Sequence, residues 1–357
     1  MASLKYKVTR KAIILPIIGL IAFFLYLYVF NVDILAIIAT ARCMNLSIYA
    51  LATAFVILDT FFFALSWRAL VNFLSIKLSV MKSFLYVWYG IFMDIIIPAE
   101  SISGEISRVY LVTREQNGTG GKVVASLVVQ RLMGTALTVA SLLLGISLLL
   151  ARGQISGLLF NLTLFLAAVT TFFLVLLIVL CVKEAWTLRV VNAILTFLVR
   201  IGRGRWKLEK IKEDTLKAAR MFHDSLKEFG RSPKTLLLSL AFYLIGWFFS
   251  VSVSYLVFLS LNFPVEWSMI VITWSIVTAV KSIPIGVPFE VGLPEITMTT
   301  LYVLLGAPPD VSATATILSR IITLWLRFFI GFAAQQWLEL KVITATDSKS
   351  MSEPQKV

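Results

Sequence analysis

Charge is scarce in this sequence. Only 14% of its 357 residues are charged, against 59% hydrophobic and 13% aromatic, where a soluble domain carries roughly 25% charge. That shortage excludes an ordinary soluble domain. Low-charge runs of about 20 residues or longer recur, enough to cross a hydrocarbon core of roughly 30 Å as helices. Their continuity excludes a β-barrel, whose strands alternate polar and apolar residues. Sulfur and imidazole are nearly missing too: Cys43 and Cys181 are the only cysteines and His223 the only histidine. The topology below puts the cysteines near opposite faces, so they form no disulfide within the chain, and they make no metal site. His-based catalysis has nothing to work with. "GGKVV" lacks the second spaced glycine and the Ser/Thr of a P-loop. No cofactor, no metal and no enzyme activity is expected.

What the chain does have is a surplus of positive charge, +13 from 32 Lys and Arg against 19 Asp and Glu. In a membrane protein this reads as the cytoplasmic bias that sets orientation, with contact to anionic headgroups, and not as nucleic-acid binding. Full crossings are expected near residues 12–30, 46–66, 122–150, 157–182, 235–261 and 311–339, the first as a retained signal-anchor helix behind Lys5, Lys7, Arg10 and Lys11. Two further hydrophobic segments, about 82–118 and 267–306, are interrupted by Pro, Gly and Glu. Each reads as a re-entrant helical hairpin, because irregular backbone at depth must face protein or a wet cavity. With both termini inside, 26 of the 32 basic residues fall on the cytoplasmic side.

The expected fold is an all-α polytopic membrane protein: six full crossings plus two re-entrant hairpins, eight hydrophobic segments forming an inverted-topology pseudo-repeat. One integral membrane domain spans 1–340, with repeat 1 about 12–150 and repeat 2 about 157–339. A basic loop occupies 183–234, and a polar tail, 341–357, is expected to be disordered. Within the loop, Ile211, Ala218, Phe222, Leu226 and Phe229 recur at helical spacing. That helix lies either on the inner leaflet or free in solvent as a linker.

The two interrupted segments resemble each other. Pro98 precedes Glu105 by seven residues and Pro288 precedes Glu295 by seven; Arg131 follows Glu105 by 26 and Arg320 follows Glu295 by 25. Broken hydrophobic segments in corresponding positions of two halves point to a transporter's substrate site near the midplane. Gly104 and Gly292 complete the breaks. Arg131 lies about 12 Å into its helix, and an arginine at depth costs on the order of 2.5–3.5 kcal/mol, so it faces the interior. Arg327, seven residues after Arg320, falls within about 20° of the same face at roughly 100° per residue. Two roles stand open for these arginines: a structural pairing with Glu105, Glu295, Asp59 or Asp94, or the binding of an anionic headgroup, which guanidinium grips bidentately. Glu105 and Arg108 share one helix face, and amides at the start of that helix offer an anion site.

At these residues the chain resembles the transmembrane family of lysylphosphatidylglycerol synthases. The family's first pattern is matched by Pro98, Gly104, Glu105, Arg108, Gly118 and Arg131; its second is matched by Pro288, Gly292 and Glu295, with Gly306 and Arg320 following. Three departures stand out: Phe289-Glu290 for a double glycine, Pro294 for an arginine, and Gln130 for the acid before Arg131. The resemblance implies a lipid translocase that moves an anionic phospholipid or a polyprenyl-phosphate-linked headgroup between leaflets of the cell membrane. Glu105, Arg108, Arg131, Glu295, Arg320 and Arg327 are the expected substrate-binding residues. The expected partners are membrane lipids and a separate glycosyltransferase or synthase. A non-transporting partner of such an enzyme, or a carrier of a soluble anion, remains the alternative. The near absence of polar faces on the uninterrupted crossings favours entry of the substrate sideways from the bilayer.

Overall fold

In the computed structural model, residues 42–97, 102–151, 157–187, 208–281 and 292–352 are described, together with residues 39, 153, 189 and 192. The expected crossing at 12–30 lies outside them, as do Pro98 and Pro288. The longer elements among the described residues are helical: α1 (Leu46–Phe73), α2 (Val80–Ile96), α3 (Ile102–Glu115), α4 (Gly120–Ala151), α5 (Leu158–Val182), α6 (Leu208–Gly230), α7 (Pro233–Ser260), α8 (Trp267–Lys281), α9 (Leu293–Leu304), α10 (Pro309–Arg320) and α11 (Leu326–Ser352). Ile321–Trp325, joining α10 to α11, is a π-helical turn. Five stretches are long and apolar enough to span a membrane: Leu46–Phe73, Gly120–Ala151, Leu158–Val182, Pro233–Ser260 and Pro309–Glu339. They fall where five of the crossings were expected. The polar tail differs: α11 runs on to Ser352, because no Gly or Pro interrupts the chain from residue 341 until Pro354.

Each interrupted segment is a pair of helices, α2 with α3 and α8 with α9. Asp94 of α2 accepts from the Gly104 amide at 2.6 Å and from Ser103 Oγ at 2.7 Å. Farther along, Lys82 pairs with Glu115 at 2.8 Å. Moving back along α2 thus goes with moving forward along α3, so the two run antiparallel. Gly104 is needed for the approach, since a Cβ there would fall on the Asp94 carboxylate and 2.5 Å from the Gly90 carbonyl oxygen.

The chain divides into two compact units, one of residues 1–57, 85–104 and 249–357 and one of 58–84 and 105–248. The boundaries of these units differ from those of the expected repeats, 12–150 and 157–339. In the first unit, α2 packs on α11: a Cβ on Gly331 would sit 2.7 Å from the Trp88 carbonyl oxygen, and Phe92 meets Phe328 and Phe332 at 5.4 and 5.7 Å. The second unit joins α1 to the first half of α7 through Ser66 and Ser239, whose hydroxyls are 2.9 Å apart.

The C-terminal part of the apolar face of α6 packs against protein. Phe229 joins Leu70, Leu74, Ala125 and Val129 in one core cluster, with Phe222 and Leu226 packed against it. Its outward face carries mixed charge, including the Glu213–Lys217 pair, which draws the exposed Glu213 carboxyl below its usual range through hydrogen bond and charge.

Candidate functional site

Each unit holds one glutamate–arginine pair on two antiparallel helices joined by a short turn. In the first unit these are α9 and α10. Glu295 Oε1 accepts from Arg320 Nε at 2.5 Å, and one helical turn farther Thr299 donates to Thr316 at 3.0 Å. Four residues forward on α9 answer four residues back on α10. The turn is set locally: Gly306 adopts a left-handed φ of 105°, Ala307 N–H reaches Tyr302 O, Gly306 N–H reaches Val303 O, and Pro309 opens α10. This is a Schellman ending followed by a proline start. Glu295 also fastens its own helix, its Oε2 accepting from the Gly292 amide at 2.7 Å. Side chains of the pair are 9% exposed for Arg320 and 3% for Glu295.

In the second unit the helices are α3 and α4, with Gly118 left-handed in the turn at φ 78°. Arg131 Nη1 donates to Glu105 Oε1 at 3.1 Å. Here the side chains are 33% and 22% exposed. The adjacent rung is different chemistry. Arg108 donates to Gln130 Oε1 at 3.3 Å and lies over the rings of Trp67 and Phe63, 5.2 and 5.7 Å from their centres. Gln130 is held in turn by its own donation to Phe63 O at 2.9 Å. Arg108 is buried. Tyr243 of α7 closes the far side, its hydroxyl pressed against Gly134 of α4 and its ring 5.8 Å from Phe63.

The structure thus brings Glu105, Arg108 and Arg131 together in one unit and Glu295 with Arg320 in the other. It separates Arg327 from Arg320. Leu326 N–H donates to Ile321 O, five residues back, so the turn between the arginines contains an extra residue and rotates Arg327 by roughly 100° off the expected stripe. Arg327 is half-buried in α11, whereas Arg320 is buried. Of the amides expected to greet an anion at the start of α3, that of Gly104 is engaged by Asp94.

Sequence reasoning noted Gln130 only as a departure from the family pattern and passed over Phe63, Trp67, Tyr243, Thr299 and Thr316. One signal was present: a glutamine beside an arginine in an otherwise apolar helix must find polar partners. Phe63 and Trp67, four apart, share a face, but nothing in their spacing says that a guanidinium lies on them. Among the described residues no cluster of His, Cys, Asp and Glu could hold a metal.

Residues 13–331 match the lysylphosphatidylglycerol synthase TM region. The chain belongs to that family. It is similar to UPF0104 membrane protein MJ1595 of Methanocaldococcus jannaschii, 22% identical over 334 residues that cover 93% of this chain and 96% of the relative. UPF0104 membrane protein PH1989 of Pyrococcus horikoshii is 21% identical over 272 residues, covering 75% of this chain and 80% of that one. No solved structure matches it significantly. Family membership and the five apolar spans together make it an integral membrane protein.

Proposed function

We propose that this member of the lysylphosphatidylglycerol synthase TM region family is a lipid translocase. It moves an anionic phospholipid or a polyprenyl-phosphate-linked headgroup between leaflets, and it does so as a carrier, not an enzyme. The observation that carries the reading is the pair of glutamate–arginine contacts, one per unit, each built on helices next to a break in a hydrophobic segment. Charges at such depth mark substrate paths, and guanidinium is suited to phosphate. In this reading α2–α3 and α8–α9 are re-entrant hairpins entering from opposite faces, with both termini cytoplasmic in the cell membrane. The antiparallel contacts of α2 with α3 and the matching turns at Gly118 and Gly306 support that arrangement. A separate glycosyltransferase or synthase supplies or consumes the lipid.

A headgroup-specific flipping assay in proteoliposomes tests the function; protein that leaves every labelled anionic lipid in its original leaflet refutes it. The topology is tested separately. Asn117 lies in an exposed turn and Asp310 is exposed at the start of α10, and single cysteines there, with Cys43 and Cys181 replaced by serine, should label from opposite sides. Labelling of both from one side would sink the inverted arrangement.

A further inference from the structure

We infer that translocation is coupled to protons: an anionic headgroup received in the second unit is accompanied by one proton, taken up by the carboxylates of Asp59 and Glu105. This rests on the translocase reading and adds what drives it. The charges concerned belong to four helices of that unit. α1 and α7 run side by side in opposite directions. Ser66 meets Ser239 at 2.9 Å, the Phe63 and Tyr243 rings are 5.8 Å apart, and Asp59 Oδ1 would lie 3.5 Å from a Cβ on Gly246. α4 lies against both. Gln130 donates to Phe63 O at 2.9 Å, and the absence of a side chain at Gly134 leaves room for the Tyr243 hydroxyl. α3 completes the set with Arg108, over the Phe63 and Trp67 rings, and Glu105, 3.1 Å from Arg131. Tyr243 stands among them, within electrostatic reach of Asp59, Arg108 and Arg131 alike.

Two carboxylates and two guanidiniums thus share one neighbourhood, and their charges cancel. The other charges of α1, α3, α4 and α7 are Arg68, Arg114, Glu115, Lys122 and Lys234, toward the helix ends at Phe73, Glu115, Gly120 and Pro233. Three of these have partners there: Arg68 at Leu78 O, Lys122 at Leu74 O and Glu115 at Lys82. α6 meets α4 at Ala125 and Val129, and its buried His223 lies edge-on to Phe222. Asp94 of α2 is engaged at the start of α3. A phosphodiester drawn to the guanidiniums adds one negative charge to a set already in balance. Away from water an uncompensated charge is costly, and a third negative group disfavours the charged form of the two acids. One of them therefore takes a proton as the lipid enters, and the proton belongs to the pair. Empty or loaded, the set stays neutral, so the lipid crosses without moving net charge.

The test reconstitutes the full chain in phosphatidylcholine vesicles in sodium-free buffer, with protein-free vesicles as the blank. The probes are phosphatidylglycerol and a polyprenyl monophosphate, each labelled on its hydrocarbon chain. With the outside more acid by one pH unit, labelled phosphatidylglycerol should collect in the inner leaflet about tenfold, the ratio of the proton concentrations. A potassium diffusion potential at equal pH should shift nothing. Asp59→Asn and Glu105→Gln each leave the set with one positive charge in excess, so the phosphodiester no longer needs a proton. In either variant the pH response should vanish and the potential should now bias the lipid. Should one variant fail to fold, the other decides. The coupling is overturned if wild-type movement ignores the pH gradient, if it requires sodium, or if a folded variant keeps the wild-type pH response. Those results leave the translocase reading standing. Absence of protein-dependent movement of either lipid, under any gradient, refutes both.

Discussion

Glu295 and Arg320 meet with side chains 3% and 9% exposed, whereas Glu105 and Arg131, in the corresponding place of the other unit, are 22% and 33% exposed. Both pairs join the first helix after a break to the helix that follows, and in both units a left-handed glycine makes the connecting turn. The parts are alike and the surroundings are not. An ion pair withdrawn from water is held strongly because neither member can leave without stranding the other. One that is less withdrawn contributes less to stability. The comparison teaches that equal spacing in sequence does not mean equal roles.

The largest expected effect comes from removing one member of the buried pair. Glu295→Gln should destabilise the protein by about 3–5 kcal/mol, while Glu105→Gln should cost about 0–1 kcal/mol. Unfolding of the two variants side by side in mixed micelles checks this, and equal losses would erase the distinction. Next comes Gly104→Ala, whose methyl group meets the Asp94 carboxylate and the Gly90 carbonyl; overpacking of this kind costs about 1–3 kcal/mol. The same measurement on Gly118→Ala serves as a contrast, since open space surrounds that residue and only its left-handed backbone objects.

A smaller effect concerns the rung beside the buried pair. Thr316→Val removes the hydrogen bond that the Thr299 hydroxyl donates and should cost about 0.5–1.5 kcal/mol, with the double replacement Thr299→Val/Thr316→Val costing less than the sum of the two single changes. A double-mutant cycle reads the coupling; strict additivity would show that the hydroxyl bond does not matter. Of similar size is Arg108→Lys, which keeps the charge but loses the planar stacking on Trp67 and Phe63, a change worth about 0.5–2 kcal/mol.

How far the sequence foretold this depended on which physical signal carried each feature. Long apolar runs announced α1, α4, α5, α7 and the α10–α11 span, because crossing length is a property of composition alone. Glycine, proline and glutamate at matched offsets announced the breaks and the residues that pair. The π-turn at Ile321–Trp325 was invisible, since "IITLW" carries no residue that demands it, and the expected face shared by Arg320 and Arg327 failed with it. Asp94 was named only as a partner for the arginines; its hold on the start of α3 depends on a close approach of two helices that no local pattern encodes. The difference in burial between the pairs was equally hidden: it arises from neighbours distant in the chain.

The most direct measurement reverses the charges of the exposed pair. In the Glu105→Arg/Arg131→Glu double mutant an ion pair can still form, so the protein should express and remain folded. A carboxylate then stands where the headgroup's phosphate has to be received. The account predicts that this folded protein no longer moves anionic lipid in proteoliposomes. Flipping at the wild-type rate would contradict it.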